Sequence, residues 1–145
     1  MLCHQGLLGM GRHEDWATHG LEHELSAFDT SITHGAGLAC LFPAWMEHVH
    51  AENPARLAYY GREVFGLVPT GDVCADALSA ADETRQFFAS LGMPTTLTEL
   101  GIGEDEIDEA IEKMIPTLKK NKGEVFGSFK KLTMEDAEEI YRSAV

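Results

Sequence analysis

The chain has 145 residues, a formal net charge of −13 and an apolar content of 44%, which suffices for one domain with a buried core. The negative charge argues against binding to nucleic acids or anionic membranes, because both are polyanions. The cysteines Cys3, Cys40 and Cys74 lie far apart, so neither a thiolate zinc site nor a disulfide framework is predicted. A reducing compartment, the cytoplasm, is expected. No apolar run approaches the length that spans a membrane.

Almost the whole sequence has the apolar spacing of amphipathic helices. Ala17, Leu21, Leu25 and Phe28 recur every three or four residues, which predicts a first helix over 15–28. The helices predicted after it cover residues 34–50, 54–65, 72–91, 104–120 and 134–144, with a short helical turn within 95–103. No strand hairpin or repeat is evident. The expected fold is therefore all-α, a single helical bundle over residues 1–145.

Local signals mark several helix ends. Asn53 followed by Pro54 is typical of a cap and a first-turn proline. Thr133 and Asp136 have the spacing of a capping box at the start of the last helix. Pro43 falls inside the second predicted helix, and it is expected to kink or break that helix.

Three histidines, His19, His23 and His34, lie within or just after the first predicted helix. His19 and His23 are four residues apart, so they share a face with Trp16, opposite the apolar stripe. Two imidazoles at this spacing can share a divalent ion, although two partly exposed, hydrogen-bonded histidines are the ordinary alternative. His34 is expected in the first turn of the next helix, where the helix dipole favours the neutral imidazole that a metal needs.

Two short motifs compete with this interpretation. The segment His19–His23, HGLEH, matches H-x-x-E-H, in which two histidines bind zinc and the glutamate, here Glu22, is the general base of a hydrolase. The glycines of GLLGMG, residues 6–11, have the wrong order for a dinucleotide loop, so a turn is predicted there. The remaining histidines are expected to be solvent-exposed or capping residues: His4, His13, His48 and His50.

Longer segments carry a resemblance to a known family. The stretch DWATHGLEHELSAFDTSITHGAGLA, with FFASLGMPTTLTELGI and KLTMEDAEEIYRSA further on, resembles the iron-containing alcohol dehydrogenases, in particular their butanol-dehydrogenase-like branch. The resemblance covers essentially the whole chain. It implies the C-terminal helical domain of a metal-dependent, NAD(P)-linked oxidoreductase that acts on small alcohols or aldehydes.

The resemblance also implies roles for individual residues. A divalent metal, iron or zinc, is expected to be bound by an aspartate and three histidines, and the last two histidines match His19 and His34. His23 matches a histidine on the nicotinamide and substrate side, with a catalytic role in proton relay and a contact to the cofactor. The resemblance thus replaces the His19–His23 pair that spacing alone suggests. Trp16 is a candidate wall of the alcohol pocket, with core packing as the alternative.

The same resemblance places the nucleotide-binding site elsewhere. Family members have an N-terminal α/β domain that binds NAD(P) and supplies the other two metal ligands, and no segment of this sequence matches it. The chain is therefore expected to be a C-terminal fragment, a truncated relative or one half of a split enzyme, with little activity alone. A separate N-terminal half or a homo-oligomer is the expected partner. A helical interaction module without catalysis is the other alternative.

Overall fold

The structure, a computed structural model, describes residues 9–11 and 13–145. The α-helices of this part of the chain are α1 (Ala17–Phe28), α2 (His34–Val49), α3 (Pro54–Phe65), α4 (Val73–Ser90), α5 (Ile107–Lys122) and α6 (Met134–Ser143). A 3₁₀ turn, Thr98–Leu100, lies between α4 and α5. The described residues contain no strand beyond an isolated antiparallel bridge between Phe126 and Leu132. The predicted all-α fold is confirmed.

The central helix of the bundle is α2, which packs against α1, α4 and α6. The other two helices pack against these neighbours: α3 pairs with α4, and α5 packs against both α1 and α6. The buried apolar side chains of all six helices form one core. Its largest fully buried members include Leu21, Leu25, Leu41, Met46, Met114, Leu118, Ile140 and Tyr141.

The predicted apolar stripe of α1 lies in this core, where Ala17, Leu21 and Leu25 are buried. The helix begins at Ala17 rather than at Asp15, because the Asp15 carboxylate accepts hydrogen bonds from other backbone groups. One of its oxygens accepts from the Ala17 N–H at 2.6 Å. The other accepts from the N–H groups of Ser128 and Phe129 at 2.7 and 2.6 Å. Asp15 thereby joins the start of α1 to the loop before α6.

Of the kink and the break that Pro43 predicts as alternatives, the break is wrong, because α2 runs without interruption from His34 to Val49 with Pro43 inside it. A proline in a helix interior removes one backbone hydrogen bond and usually destabilises the helix. Here Pro43 is buried, and the packing of α1, α4 and α6 around α2 outweighs that local cost. Tertiary contacts have overridden the local preference.

The predicted helix caps are confirmed. The Asn53 side chain accepts from the Arg56 N–H at 3.1 Å, at the start of α3. Thr133 and Asp136 form the reciprocal capping box of α6. The start of α5 differs from the prediction, since residues 104–106 form a turn and the helix begins at Ile107.

His48 also differs from the prediction, which placed it in solvent or at a cap. Its side chain is only 14% exposed, and its Nε2 lies 2.7 Å from Asp136 Oδ1. Lys130 Nζ approaches the same carboxylate oxygen at 2.9 Å. This cluster joins α2 to the N-terminus of α6. His50 behaves as predicted, since its Nδ1 lies 2.6 Å from the carbonyl oxygen of Glu47 at the end of α2.

The two cysteines that the structure describes are free thiols. Cys40 is buried, its thiol donates to the Thr96 carbonyl at 3.2 Å, and burial together with Glu99 raises its pKa to about 12. Cys74 is exposed. Cys3, His4 and the first half of the turn predicted at 6–11 lie outside the described residues. Within the described ranges, every helix is too short or too polar to cross a membrane.

Replacing Asp136 by alanine is expected to lower the free energy of unfolding by about 1–3 kcal/mol near neutral pH, because Lys130, His48 and the Thr133 N–H lose their acceptor. Burial alone would raise the pKa of Asp136, but these hydrogen bonds hold it well below its usual range. The stabilisation is therefore present above the unfolded-state pKa of about 3.9 and is lost as the pH falls further.

Urea denaturation of both proteins at about pH 7 and about pH 2.5 measures this difference. The gap between wild type and Asp136→Ala should shrink at the lower pH. The control is Glu138→Ala on the same helix, because no hydrogen bond or ion pair links the Glu138 side chain to another described residue, whereas Glu139 approaches His48 Nδ1 at 3.6 Å. An equal loss of stability in both variants would contradict the assignment.

Candidate metal centre

The structure brings together the three histidines singled out in the sequence. The ring centroids of His19 and His34 are 5.2 Å apart, those of His23 and His34 5.4 Å, and those of His19 and His23 6.4 Å. His19 and His23 are on α1, and His34 is the first residue of α2. Three imidazoles this close together offer the donor type that divalent transition metals accept.

The loop 29–33 between α1 and α2 produces this convergence. The Asp29 carboxylate accepts from the Ser31 N–H at 2.8 Å, and the Asp29 carbonyl accepts from the Ile32 N–H at 3.1 Å. Ile32 is buried in the core, and this burial anchors the loop to the bundle. The chain therefore turns back at once, and His34 meets the polar face of α1.

Glu22 lies at the base of the histidine cluster and is fully buried. One carboxylate oxygen pairs with His34 Nδ1, and the other accepts from the Ser26 hydroxyl. Glu22, His23 and His34 each offer a ligand atom, and these atoms lie within 4.8 Å of one another. Sequence reasoning had assigned Glu22 a role only in the hydrolase alternative. Its contact with His34 depends on the loop between the helices and has no local sequence signal.

This position of Glu22 argues against the hydrolase alternative. A general base must reach a water molecule at the metal. The Glu22 carboxylate is inaccessible to solvent, and both of its oxygens already accept hydrogen bonds from Ser26 and His34. The match to H-x-x-E-H therefore has a structural explanation that does not involve hydrolysis.

The surroundings of His19 favour its neutral form. Burial lowers its pKa most, and the neighbouring His34 and His23 lower it further. Glu22 acts in the opposite direction and raises the pKa of His19. Lys122, at the end of α5, makes the smallest contribution, and it lowers the pKa. The Lys122 side chain passes close to Gly20, where an added Cβ would lie 3.1 Å from Lys122 Cε. A neutral imidazole is the form that binds a metal.

Trp16 lies at the rim of the cluster. Its ring centroid is 4.9 Å from that of His19, and its Nε1 donates to a Glu14 carboxylate oxygen at 3.0 Å. The residue is 55% exposed, so the core-packing alternative for Trp16 is wrong. An exposed indole beside the histidines is available to contact a small apolar molecule.

Comparison with known proteins identifies the family. Residues 3–145 match the model described as the C-terminal part of the Fe-containing alcohol dehydrogenase family. The chain belongs to the iron-containing alcohol dehydrogenase family and corresponds to its C-terminal, all-helical region.

Individual relatives agree with this assignment. The chain is 38% identical over 144 residues to NADH-dependent butanol dehydrogenase A of Clostridium acetobutylicum, covering 99% of this chain and 36% of that protein. It is 33% identical over 140 residues to the NADPH-dependent aldehyde reductase YqhD of Escherichia coli, covering 96% of this chain and 34% of the relative. The chain thus spans about a third of the length of the curated relatives it matches.

A solved structure supports the fold. The crystal structure of NADH-dependent butanol dehydrogenase A from Thermotoga maritima superposes with a TM-score of 0.88 at 33% identity. The match covers 99% of this chain and 36% of that one. The helical bundle is therefore shared along nearly the whole length of this chain.

Replacing His34 by alanine is expected to raise the pKa of His19, because the variant removes a neighbouring positive charge and opens the site to water. An NMR pH titration of the His19 ring in the metal-free chain measures the shift. Because folding lowers the pKa of His19, its contribution to stability is present above about pH 6.5 and is lost as the pH falls below that value.

The matched control for this titration is His50→Ala, which removes an imidazole from the opposite end of α2. We expect no change in the pKa of His19 in that variant. A His19 pKa that responds equally to both substitutions, or to neither, would contradict the proximity of His19 and His34.

Proposed function

We propose that this chain provides the metal-binding half of the active site of an NAD(P)-linked alcohol dehydrogenase or aldehyde reductase. The reaction is hydride transfer between a nicotinamide and a small alcohol or aldehyde, of which butanol and butyraldehyde are the model substrates. The observation that carries the proposal is the convergence of His19, His23 and His34 at one point of a family-typical fold. The named activities of the relatives supply the reaction class.

In this proposal, His19 and His34 are the metal ligands that this chain contributes. Their rings are 5.2 Å apart, which allows both to reach one ion at a metal–nitrogen distance of about 2.1 Å. Iron and zinc both accept imidazole ligands, so either ion suits this pair. When bound, the divalent ion acts as a Lewis acid toward the alcohol or carbonyl oxygen of the substrate.

His23 is proposed to act on the substrate side. It is exposed, one helical turn from His19 on the same face of α1, and its ring centroid lies 5.4 Å from that of His34. From there its imidazole takes up the proton of the alcohol during oxidation and returns it during reduction. His23 would also contact the nicotinamide when the cofactor is bound. Trp16, exposed beside His19, is proposed as an apolar wall for the alkyl chain of the substrate.

The nicotinamide nucleotide is proposed to bind to an α/β domain that is distinct from the described helical residues. Those residues contain no strand followed by a glycine-rich loop and a helix, which is the unit that usually binds a dinucleotide. We propose that an N-terminal domain of the family type, on the same polypeptide or on a second chain, supplies the nucleotide site and the remaining metal ligands. The free thiols of Cys40 and Cys74 suit a reducing compartment, in keeping with a cytoplasmic enzyme.

A helical interaction module without catalysis is the alternative. Such a module would require no particular arrangement of side chains around His19, His23 and His34. The three clustered imidazoles above a buried carboxylate favour the metal site instead.

Metal binding and turnover of the purified chain test this proposal. Two imidazoles alone are expected to bind Zn²⁺ weakly, and His19→Ala and His34→Ala should each lower the affinity at least about tenfold. His23→Ala should keep most of the affinity. His50→Ala is the matched control, because His50 lies at the far end of α2 and bonds only locally. Titration calorimetry and elemental analysis give the affinity and the stoichiometry.

Turnover is measured with butanol or butyraldehyde and each nicotinamide cofactor. Little or no activity is expected from the 145-residue chain alone, because the proposal places the nucleotide site in another domain. Tight, stoichiometric metal binding with substantial turnover would overturn the half-site proposal. Unchanged metal binding in both His19→Ala and His34→Ala would overturn the ligand assignment.

A further inference from the structure

We propose that Glu22 is the positioning residue of His34. Its buried carboxylate holds the imidazole through Nδ1, so that Nε2 is the nitrogen left to bind a metal. The consequence for metal binding rests on the proposed function. The contact between Glu22 and His34 is independent of the proposed function.

The hydrogen bonds of Glu22 determine which nitrogen of His34 carries the proton. An ionised carboxylate only accepts hydrogen bonds, so the Nδ1 that pairs with it must be the donor. The second carboxylate oxygen accepts from the Ser26 hydroxyl, which also lies 3.2 Å from the Ile32 carbonyl in the loop between α1 and α2. Glu22 is therefore held from both sides, and the ring of His34 is held by Glu22.

The first turn of α2 is shaped around this carboxylate. Gly37 lies three residues after His34, and a Cβ on Gly37 would approach Glu22 Cγ to 2.8 Å and Oε1 to 2.9 Å. Both distances are shorter than van der Waals contact, so any larger residue at this position would displace the Glu22 side chain. A glycine inside a helix weakens that helix. Its presence at position 37 is explained by the space that Glu22 occupies.

A second buried glutamate on the same helix provides the comparison. Glu24 is also buried, but it accepts from Asn121 Nδ2 at 2.8 Å and thus joins α1 to α5. No hydrogen bond or ion pair links Glu24 to a histidine among the described residues. Glu22 and Glu24 therefore differ in the one property that the proposal concerns, the contact with His34.

Direct coordination of a metal by Glu22 is the competing role. The ligand atoms of Glu22, His23 and His34 lie close enough for a shared ion. Coordination by Glu22 would require its carboxylate to leave His34, and the carboxylate has no solvent exposure, whereas the His34 side chain is 47% exposed. The geometry thus favours a Glu22 that hydrogen-bonds to His34 over a Glu22 that coordinates the metal next to His34. Carboxylates in that position orient the ring and raise the affinity of the site for its metal.

The first test needs no metal. Long-range ¹H–¹⁵N NMR of the metal-free chain at about pH 8, where imidazoles are neutral, reports which ring nitrogen carries the proton. We expect the Nδ1–H tautomer of His34 in the wild type and in Glu24→Gln. We expect the Nε2–H tautomer to appear in Glu22→Ala. An Nε2–H tautomer in the wild type, or the same tautomer in all three proteins, would overturn the proposal.

The second test measures affinity with Co²⁺ as a spectroscopic probe. Glu22→Ala is expected to lower the Co²⁺ affinity by about 10–100-fold without moving the visible absorption bands. Glu22→Gln should keep part of the affinity, because its amide oxygen still accepts from Nδ1, and Glu24→Gln should keep all of it. Shifted bands in the Glu22 variants would show that Glu22 is a ligand and overturn the positioning role.

Failure of the proposed function would look different. A wild-type chain with the expected tautomer that binds no Co²⁺ would overturn the metal site and leave the coupling of Glu22 to His34 intact. Bound Co²⁺ together with an Nε2–H tautomer of His34 would support the metal site and overturn the coupling of Glu22 to His34.

Gly37→Ala keeps the test interpretable if Glu22→Ala folds poorly. The added methyl group should displace the Glu22 side chain and lower the Co²⁺ affinity in the wild-type background. In the Glu22→Ala background the methyl group has room, so the same substitution should add little further loss. Fully additive effects of the two substitutions would overturn the proposed coupling.

Discussion

The packing of the apolar stripe of α1 into the core is the constraint on which the candidate site depends. Because Leu21 and Leu25 are completely buried, α1 cannot rotate without exposing them to water. That orientation directs His19 and His23 to the opposite face of the helix. The imidazoles are thus positioned by hydrophobic burial on one side of α1 rather than by contacts of their own.

The other helices hold α1 in this orientation through polar contacts. The Tyr141 hydroxyl of α6 donates to the Leu21 carbonyl at 2.7 Å, and burial raises the pKa of Tyr141 so that it stays a donor. Asn121 of α5 donates to Glu24, and Asp15 joins the start of α1 to the loop before α6. These bonds hold α1 in place and leave the side that carries His23 and Trp16 exposed.

The candidate site combines buried and exposed groups. Glu22 is sealed in the bundle, His19 is partly buried, and His23 and Trp16 are exposed. Exposure therefore increases from Glu22 outward. The candidate site thus has a buried base and an open side.

Comparison of prediction and structure shows which features are local. The periodicity of α1, the Asn53–Pro54 start of α3 and the capping box at Thr133 were all predicted, because each depends on residues within one or two turns of a helix. The break at Pro43 and the solvent or cap position of His48 were predicted wrongly. The continuity of α2 depends on three neighbouring helices, and His48 meets Asp136, which lies 88 residues further along the chain.

The sequence by itself determined that His19 and His23 share one face of a helix opposite an apolar stripe, since 3.6-residue periodicity requires it. Resemblance to a family added His34 as the partner of His19. Only the tertiary structure decided that His34 returns to within 5.2 Å of His19 and that Glu22 lies behind it, with Gly37 leaving the space. These features depend on how the loop 29–33 turns and how α1 packs on α2, and both are set by burial in the whole bundle rather than by neighbouring residues.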